Sequence, residues 1–410
     1  MESIMGEKVI LAYSGGLDTS VILKWLDNRG YDVIAVLVEL GQREDTGPVE
    51  EKALGSGAVS FKARDVREEF ISEFAFPALQ FNARYEGRYL LGTSLARPVI
   101  ARELVRVAQE EGASIIAHGA TGKGNDQVRF ELSAQALMPG VRVIAPWRDP
   151  EFNSVIKGRR EAIAYAEEYG IPVKATADKP WSSDENLMHI SFESGMLEDP
   201  ACAPKKEMYE LSSAPEDAPD SKTCITIGFK NGIPVCVDGK DLGPVELVET
   251  LNRIGGENGI GRIDVVESRF VGMKSRGVYE TPGFTILHEA HRDIEGITLT
   301  GSAINLKDTL MPRFASLVYN GFWFSQDMEL LLSFVRESQA YVQGVVTMEL
   351  YKGNITITGR TSDMSLYDED IASMEDDKGA YNQADAEGFI RLNSLPLKAH
   401  ARRKGRAGQD

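Results

Sequence analysis

Short unbroken apolar runs alternate with stretches of helical spacing through the first part of this chain. Val9–Tyr13 and Asp32–Leu40 are nearly all apolar, the pattern of strands buried on both faces. Ala58–Ala63, Ser114–Ala117 and Val141–Ala145 repeat it. Between them, Val21–Leu26, Glu50–Gly57, Asp65–Phe74 and Asp126–Leu137 have helical spacing or composition, as does Ser154–Tyr169, stopped by Gly170 and Pro172. Ser94 opens one more helix, with Pro98 in its first turn, where proline is tolerated, and Ile100, Leu104 and Val107 along one face. The alternation predicts an α/β fold whose parallel sheet is covered on both faces and binds ligands at the carboxyl ends of its strands. Ser14, Val38 and Gly119 fall at or near such ends.

From about Ala175 the pattern changes. Glu198–Asp220, rich in Pro, Ala and acid, reads as an exposed loop. Thr223–Lys230 and Ile233–Gly239 flank Asn231-Gly232, a hairpin signal. A second hairpin is expected over Val345–Gly359, turning on Gly353-Asn354, with a helix over Leu330–Ala340 between the two. Strands grouped beside separate helices predict an α+β second domain. The acidic Glu375-Asp376-Asp377 begins the last piece, and basic Leu397–Arg406 is either a disordered tail or a helix docking on another subunit. The expected domains are 1–174, 175–374 and 375–410.

Composition narrows the class. A chain of 410 residues, 42% of them hydrophobic, can bury a large core. It has no apolar run of the roughly 18 residues a membrane span needs and no signal pattern at its start; a soluble, cytoplasmic protein is expected. The net charge of −17 argues against nucleic-acid binding, which rests on neutralising phosphates. Beyond a Debye length of about 8 Å that field is screened, so anionic substrates must be held by local donors. Arg97, Lys123, Arg129, Lys274 and Arg276 lie in glycine- or turn-rich stretches suited to that. Cys202, Cys224 and Cys236 make neither a zinc set nor a disulfide framework; a two-residue hairpin loop would set Cys236 opposite Ile227, not opposite Cys224.

The most informative stretch is Ser14-Gly15-Gly16-Leu17-Asp18-Thr19-Ser20, directly after the first strand. A strand turning through two glycines into a helix leaves free N–H groups at the positive helix end, a site for phosphate. Taken alone, the triplet could be only a tight turn with Asp18 or Thr19 as N-cap. The full string resembles the PP-loop of the ATP pyrophosphatases, which cut ATP between its α- and β-phosphates. It is not a Walker loop, and Gly122-Lys123-Gly124 lacks the Ser or Thr that pattern requires.

Four more strings go beyond fold: Tyr89–Ser94 with Leu95-Ala96-Arg97-Pro98 behind it, His118–Arg129, Trp181–Ser191, and Gly261–Glu267 through Gly272–Pro282. With the glycine bend they closely resemble the argininosuccinate synthase family, nearly end to end from Lys8 to about Lys398. The resemblance implies a PP-loop domain of adenine-nucleotide-hydrolase type, an α+β synthetase domain, a C-terminal helical arm and a homotetramer. It implies ligation of citrulline to aspartate with ATP, through a citrullyl-AMP intermediate, releasing AMP and pyrophosphate, and Mg²⁺ accompanying the nucleotide with no dedicated protein metal site. Departures from the family lie in Glu198–Asp220 and the C-terminal tail.

Carried over position by position, the resemblance implies an ATP site at Ala12, Tyr13, Ser14, Gly15, Gly16 and on through Leu17, Asp18, Thr19 and Ser20, with backbone contacts at Val38 and Gly119. Thr121, Asn125 and Asp126 match the aspartate site. Tyr89, Ser94, Arg129, Ser182, Ser191, Glu267 and Tyr279 match the citrulline site, where Asn125 also reaches. Asp126 is a candidate to hold the aspartate ammonium and to take its proton; the leaving phosphate is the other candidate. Read singly, Ser94 could cap its helix, Asn125-Asp126 could be a turn, Arg129 and Glu131 could be solvated charges, and both tyrosines could be core. Two rival functions are another PP-loop ligase, such as a tRNA-thiolating enzyme, and a non-catalytic nucleotide sensor. The first calls for reactive cysteines and a basic face that this chain lacks; the second leaves Gly261–Pro282 unused.

Overall fold

The computed structural model describes residues 6–43, 46–172, 181–374, 379 and 381–407. The chain forms two compact units, Met1–Met364 and Ser365–Asp410. The expected boundary at 174/175 and the acidic run at 375–377 lie outside the described residues.

The first unit opens with β1 (Lys8–Ala12), α1 (Leu17–Asn28), β2 (Asp32–Glu39), α2 (Thr46–Gly55) and β3 (Ser60–Asp65). A winding helical stretch covers 67–80, with a π-helical middle at Phe70–Ala75. Then come α3 (Gly92–Glu111), β4 (Ile115–Ala117), α4 (Asp126–Leu137) and β5 (Arg142–Ile144). The five strands pair in parallel in the order β3-β2-β1-β4-β5. The chain runs outward from β1 to β3, then returns past β1 to β4. Two neighbouring connections thus leave β1 and β4 in opposite directions, which opens a crevice above their carboxyl ends.

Three local expectations change in this unit. α1 begins at Leu17, so neither Asp18 nor Thr19 is its cap; Gly16 holds that position with no side chain bonded to the first amides. The Thr19 and Ser20 hydroxyls instead donate back to Gly16 C=O, at 3.4 and 2.8 Å. α3 begins at Gly92, and Pro98 lies in its interior rather than its first turn. The cause is upstream: Tyr89 Oη accepts the N–H groups of Thr93 and Ser94, at 3.1 and 3.4 Å. The expected helix over 154–169 is two, α5 (Pro150–Val155) and α6 (Arg159–Glu168). Asp149 caps the first of them, and extended Gly158 precedes the second.

Next come β6 (Ser182–Asn186), β7 (His189–Glu193), β8 (Thr223–Lys230), β9 (Ile233–Val237) and β10 (Lys240–Asp241). α7 (Pro244–Glu257), β11 (Arg262–Ser268), β12 (Lys274–Glu280), α8 (Pro282–Thr298) and α9 (Gly301–Tyr319) follow. α10 (Gln326–Ser338), β13 (Gly344–Tyr351) and β14 (Asn354–Thr361) complete the unit. They build a five-stranded sheet, β10-β9-β8-β13-β14, and a four-stranded one, β11-β12-β7-β6. The protein is mixed α/β, as expected.

Cys236 pairs with Gly228, not Ile227, because a bulge at Gly228/Phe229 shifts the register by one. A Cβ on Gly228 would stand 2.4 Å from Cys236 Sγ, so glycine is what lets that thiol fit. All three cysteines are free. The second hairpin turns on Lys352-Gly353, whose φ values of +45° and +82° suit a tight turn, rather than on Gly353-Asn354. Glu198–Asp220 is not simply an exposed loop. Met208 and Ala214 are buried, and the Glu280 carboxylate accepts the N–H groups of Glu210 and Ser212 at 2.6 and 2.8 Å.

One buried polar knot ties α8, α9 and α10 together. Lys307 pairs with Glu295, both fully buried, and donates to Gln80 C=O at 2.7 Å. Asn82 and Gln339 donate to the two oxygens of the same carboxylate, at 2.7 and 2.8 Å. Such a pair adds little net stability over an apolar replacement, but removing one partner strands a buried charge.

In the second unit the expected short basic tail is the end of a longer helix, α11 (Asp385–Ala407), which exposes Phe389, Ile390, Leu392, Leu395 and Leu397. No helix among the described residues is long and apolar enough to cross a membrane.

Candidate functional site

A cavity of about 290 Å³ opens in the crevice at the strand ends. One wall is Ala12, Tyr13, Ser14 and Thr19, with Val38 and Gly119 beside them; the other includes Arg97, Asp126, Phe130 and Asp184. Gly15 has φ +75°, and a Cβ there would press on Val49 Cγ1 at 3.0 Å, so the bend needs glycine. Lys52 donates to Gly15 C=O at 2.7 Å and steadies the bend from α2. Ser14 Oγ meets Thr19 Oγ1 at 3.2 Å, and Tyr13 Oη meets Ser20 Oγ at 3.0 Å. Hydroxyls therefore flank a helix start where Ser14 Oγ accepts the Gly16 N–H at 3.4 Å and, among the described residues, no side chain caps the amides that follow. Leu17 packs on the core and Asp18 is exposed; neither lines the cavity.

β4 delivers the second loop. His118 Nδ1 accepts Ala120 N–H at 3.2 Å, which leaves its Nε2–H to donate to Glu131 at 3.3 Å. Gln127 Nε2 straps the following turn by donating to the carbonyls of Gly122 and Gly124, at 2.6 and 3.1 Å. Thr121 is exposed on that turn, and Asn125, just before α4, is buried.

α4 then places Asp126 and Arg129 one turn apart, joined at 2.8 Å. Arg97, on α3, donates to Asp126 at 3.0 Å and to Asp184 of β6 at 2.6 Å. Burial alone would raise the Asp126 carboxyl, but Arg97 and Arg129 outweigh it and hold it below the usual carboxylate range. Arg129 is 5% exposed and also donates to Tyr319 C=O at 2.9 Å, so it is no solvated surface charge.

The four-stranded sheet brings the remaining candidates onto one face. Tyr279 pairs with Ser191, Ser191 with Asp184, and Ser182 sits two residues from Asp184 opposite Glu193. Across β12, Tyr279 and Gly277 share that face with Ser275, which pairs with Glu267. On the opposite face Phe192 and Val278 pack with Leu197 and Met208, beside the charged Arg276 and Glu280. Gly277 is required beside Tyr279, since a Cβ would lie 2.4 Å from the tyrosine hydroxyl.

Tyr279 stacks on Tyr89 at 4.6 Å and donates to Glu267 at 3.2 Å, while Tyr319 donates to the other Glu267 oxygen at 2.8 Å. Burial pushes the Tyr89 hydroxyl up to about 12 and Tyr279 well above its ordinary value, so both stay protonated donors. Burial likewise raises Glu267, against the pull of Tyr319 and Arg129. Ser94 is fully buried and its Oγ has no hydrogen-bond partner among the described residues, so it does not cap α3. An orphaned buried hydroxyl beside Tyr89 is what a polar ligand would satisfy.

Of the five cations expected to hold anions, Arg97 and Arg129 stand in this region. Arg276 lies on the other face of β12, paired with Asp264 at 2.6 Å and with the carbonyls of Asp199 and Cys202; Lys274 bonds Ser268 Oγ at 2.5 Å. Sequence reasoning missed Tyr319, Thr93 and His189. Thr93 Oγ1 meets His189 Nε2 at 2.9 Å, and burial with Arg97 nearby holds that imidazole down at about 3, hence neutral. Thr93 and His189 lay inside strings already singled out; Tyr319 ends a helix where an aromatic reads as core.

Comparison with known proteins decides the family. The arginosuccinate synthase N-terminal HUP domain matches residues 8–172, and the arginosuccinate synthase C-terminal domain matches residues 181–400. The argininosuccinate synthase of Thermotoga maritima is 54% identical over 97% of this chain and 98% of its own. That of Desulfatibacillum aliphaticivorans is 54% identical over 96% and 97%, and that of Leptospira biflexa 53% over 97% and 98%. The chain belongs to the argininosuccinate synthase family. It is an ATP-using ligase of arginine biosynthesis, and the two matched domains meet the two halves of the site: the HUP domain supplies the glycine bend and the Thr121–Arg129 stretch, and the C-terminal domain the four-stranded sheet.

Proposed function

We propose that this chain joins citrulline to aspartate by first adenylylating the citrulline ureido oxygen. The observation that carries this reading is the placement of Ser14 and Thr19, at an uncapped helix start, and of the Arg97–Asp126 pair around one cavity, with Arg129 bonded to Asp126. Two nitrogens donate into the ureido carbon, which makes it a poor electrophile. Its oxygen attacks the α-phosphorus of ATP, and the bond to the β-phosphate oxygen breaks. Pyrophosphate departs onto the amides of Gly15 and Gly16 and the hydroxyls of Ser14, Thr19 and Ser20. The aspartate amine then adds to the activated carbon, the C–O bond to AMP breaks, and the amine proton leaves. Positioning and electrostatics carry the rate, with no covalent enzyme intermediate.

Citrulline is assigned to Tyr89, Ser94, Asn125 and Arg129 together with Ser182, Ser191, Glu267 and Tyr279. Arg129 meets its carboxylate and Glu267 its ammonium; the hydroxyls serve the neutral end. The adenine side is assigned to Ala12, Val38 and Gly119, and aspartate to Thr121, Asn125 and Asp126. Asp126, held ionised by two guanidiniums, orients the incoming ammonium, and the departing phosphate takes the proton, because a carboxylate of lowered basicity is the poorer base. The bend presents amides and hydroxyls rather than a set of carboxylates, so a Mg²⁺ ion bound with the nucleotide would take its ligands mainly from phosphate and water and would supply neutralisation of phosphate charge. Residues 1–174 are assigned to nucleotide, 175–374 to the amino acids and 375–410 to assembly of a cytoplasmic homotetramer, supported by the exposed apolar residues of α11.

Pyrophosphate release from ATP tests the reading. It is expected with citrulline alone in a single turnover, not with aspartate alone, and continuously with both, when argininosuccinate accumulates. Release that requires aspartate but not citrulline rejects it.

A further inference from the structure

The β11–β12 hairpin closes through a short loop that reaches down to the loop before α4. Gly272 N–H bonds Arg269 C=O at 2.9 Å, Arg269 N–H bonds Met273 C=O at 2.8 Å, and Gly272 has φ +96°, the left-handed residue that ends such a loop. Phe270 takes the second position of the turn, so the hairpin has no use for its N–H. That N–H donates to Asn125 Oδ1 at 3.0 Å. The loop is well anchored there. Arg269 donates to Lys123 C=O at 3.3 Å and to Glu193 at 2.7 Å, while Tyr85 Oη holds Ser268 C=O at 2.8 Å.

A backbone N–H can only donate, so the atom of Asn125 that faces it must be the oxygen. Nδ2 is thereby fixed as the outward donor, and it makes no hydrogen bond among the described residues. The groups it would meet on either amino acid, a ureido oxygen or a carboxylate, are acceptors. A carboxamide turned the other way would set oxygen against oxygen. We propose that the Phe270 backbone N–H is a positioning group: it locks the Asn125 carboxamide with its NH₂ toward the acceptor atoms of the bound amino acids. This rests on the assignment of Asn125 to the substrate site made above.

The turn itself offers the test. Phe270→Pro deletes the N–H at a turn position that accepts proline, and Phe270→Ala loses the same ring but keeps the N–H. The pair isolates one hydrogen bond. Against Phe270→Ala, Phe270→Pro is expected to lower kcat/KM for citrulline or aspartate about tenfold, with KM for ATP and the melting temperature unchanged. In an Asn125→Ala background the two Phe270 variants should be equal. If they are already equal with Asn125 present, while Asn125→Ala is impaired, the positioning role is overturned and the assignment of Asn125 stands. If Asn125→Ala leaves both amino-acid KM values unchanged, that assignment itself falls. Asn125→Asp gives an answer even if the proline variant misfolds. It still accepts from Phe270 but has no donor, so it should lose at least as much as Asn125→Ala; near-native turnover would overturn the inference.

Discussion

Arg97→Met is expected to lower kcat/KM about a thousandfold while the protein still folds. Among the described residues Arg97 is the side chain that joins Asp126 to Asp184, and it does so with little exposure to water. Burial works against its charge, yet the two carboxylates raise its pKa above the ordinary arginine value, so it is firmly cationic. Taking away one partner of a buried pair costs about 3–5 kcal/mol, chiefly because the charges left behind are unpaired. Here those charges face the cavity assigned to the anionic nucleotide, so on that assignment the loss falls on the reaction as well as on stability; about 4 kcal/mol corresponds to that thousandfold. Asp126 keeps Arg129 and Asp184 keeps Thr93, which is why folding survives. Arg97→Lys should rescue only in part: one nitrogen of Arg97 already reaches both carboxylates, but a lysine lacks the Nε–H that also donates to Asp126. Steady-state kinetics beside a thermal melt measure both effects. A folded Arg97→Met enzyme within tenfold of the parent would mean the cation is only scaffolding.

Glu267→Gln is expected to raise KM for citrulline about tenfold to a hundred and fiftyfold, with KM for ATP nearly unchanged. The amide oxygen can still accept from one of Tyr279 and Tyr319, which bond different oxygens of the carboxylate, and the other hydroxyl must turn to accept from the NH₂; the shape is kept while the charge and one acceptor go. Hydrogen bonds to charged groups are worth roughly 1.5–3 kcal/mol, which sets that range. A pH signature accompanies it. Burial raises the Glu267 carboxyl above its ordinary value of 4.5. As pH falls through that raised value the group gains a proton and loses its hold on an ammonium. The parent enzyme should therefore lose kcat/KM for citrulline on an acid limb lying above the ordinary carboxylate range, and Glu267→Gln should lack that limb. An unchanged limb in the variant would assign it to another group.

The parts of this molecule that local chemistry dictates were readable in its sequence. Val9–Tyr13 and Asp32–Leu40 announced a covered parallel sheet because a strand buried on both faces has no polar positions to confuse it. The glycine bend was legible for a similar reason: its conformation depends on the residues that make it. Contacts distant in sequence were not legible. That Ser182, Ser191, Glu267 and Tyr279 share one face follows from the register of four strands, which no single strand specifies. The start of α3 was misplaced because its cap is a tyrosine hydroxyl from the preceding loop. Cys236 was misplaced by one residue because a bulge interrupts an otherwise regular hairpin. Tyr319 carried no signal, since its function as a donor to Glu267 depends on a helix end arriving from elsewhere in the chain. Arg276 shows the converse, a cation in a promising string whose alternation points it away from the site.

Citrulline labelled with ¹⁸O at the ureido oxygen gives the most direct test of the chemistry assigned to the cavity. Attack of that oxygen on the α-phosphorus must leave the label in AMP, because the carbon–oxygen bond is the one later broken by the aspartate amine. Pyrophosphate must then be unlabelled, having departed onto the glycine amides with only the oxygens it held in ATP. Mass spectra of the two products after turnover with both amino acids are expected to show one ¹⁸O per AMP and none in pyrophosphate. Label found in pyrophosphate would place the attack on the β-phosphate, and label found only in water would remove citrulline adenylylation altogether; either result contradicts the account.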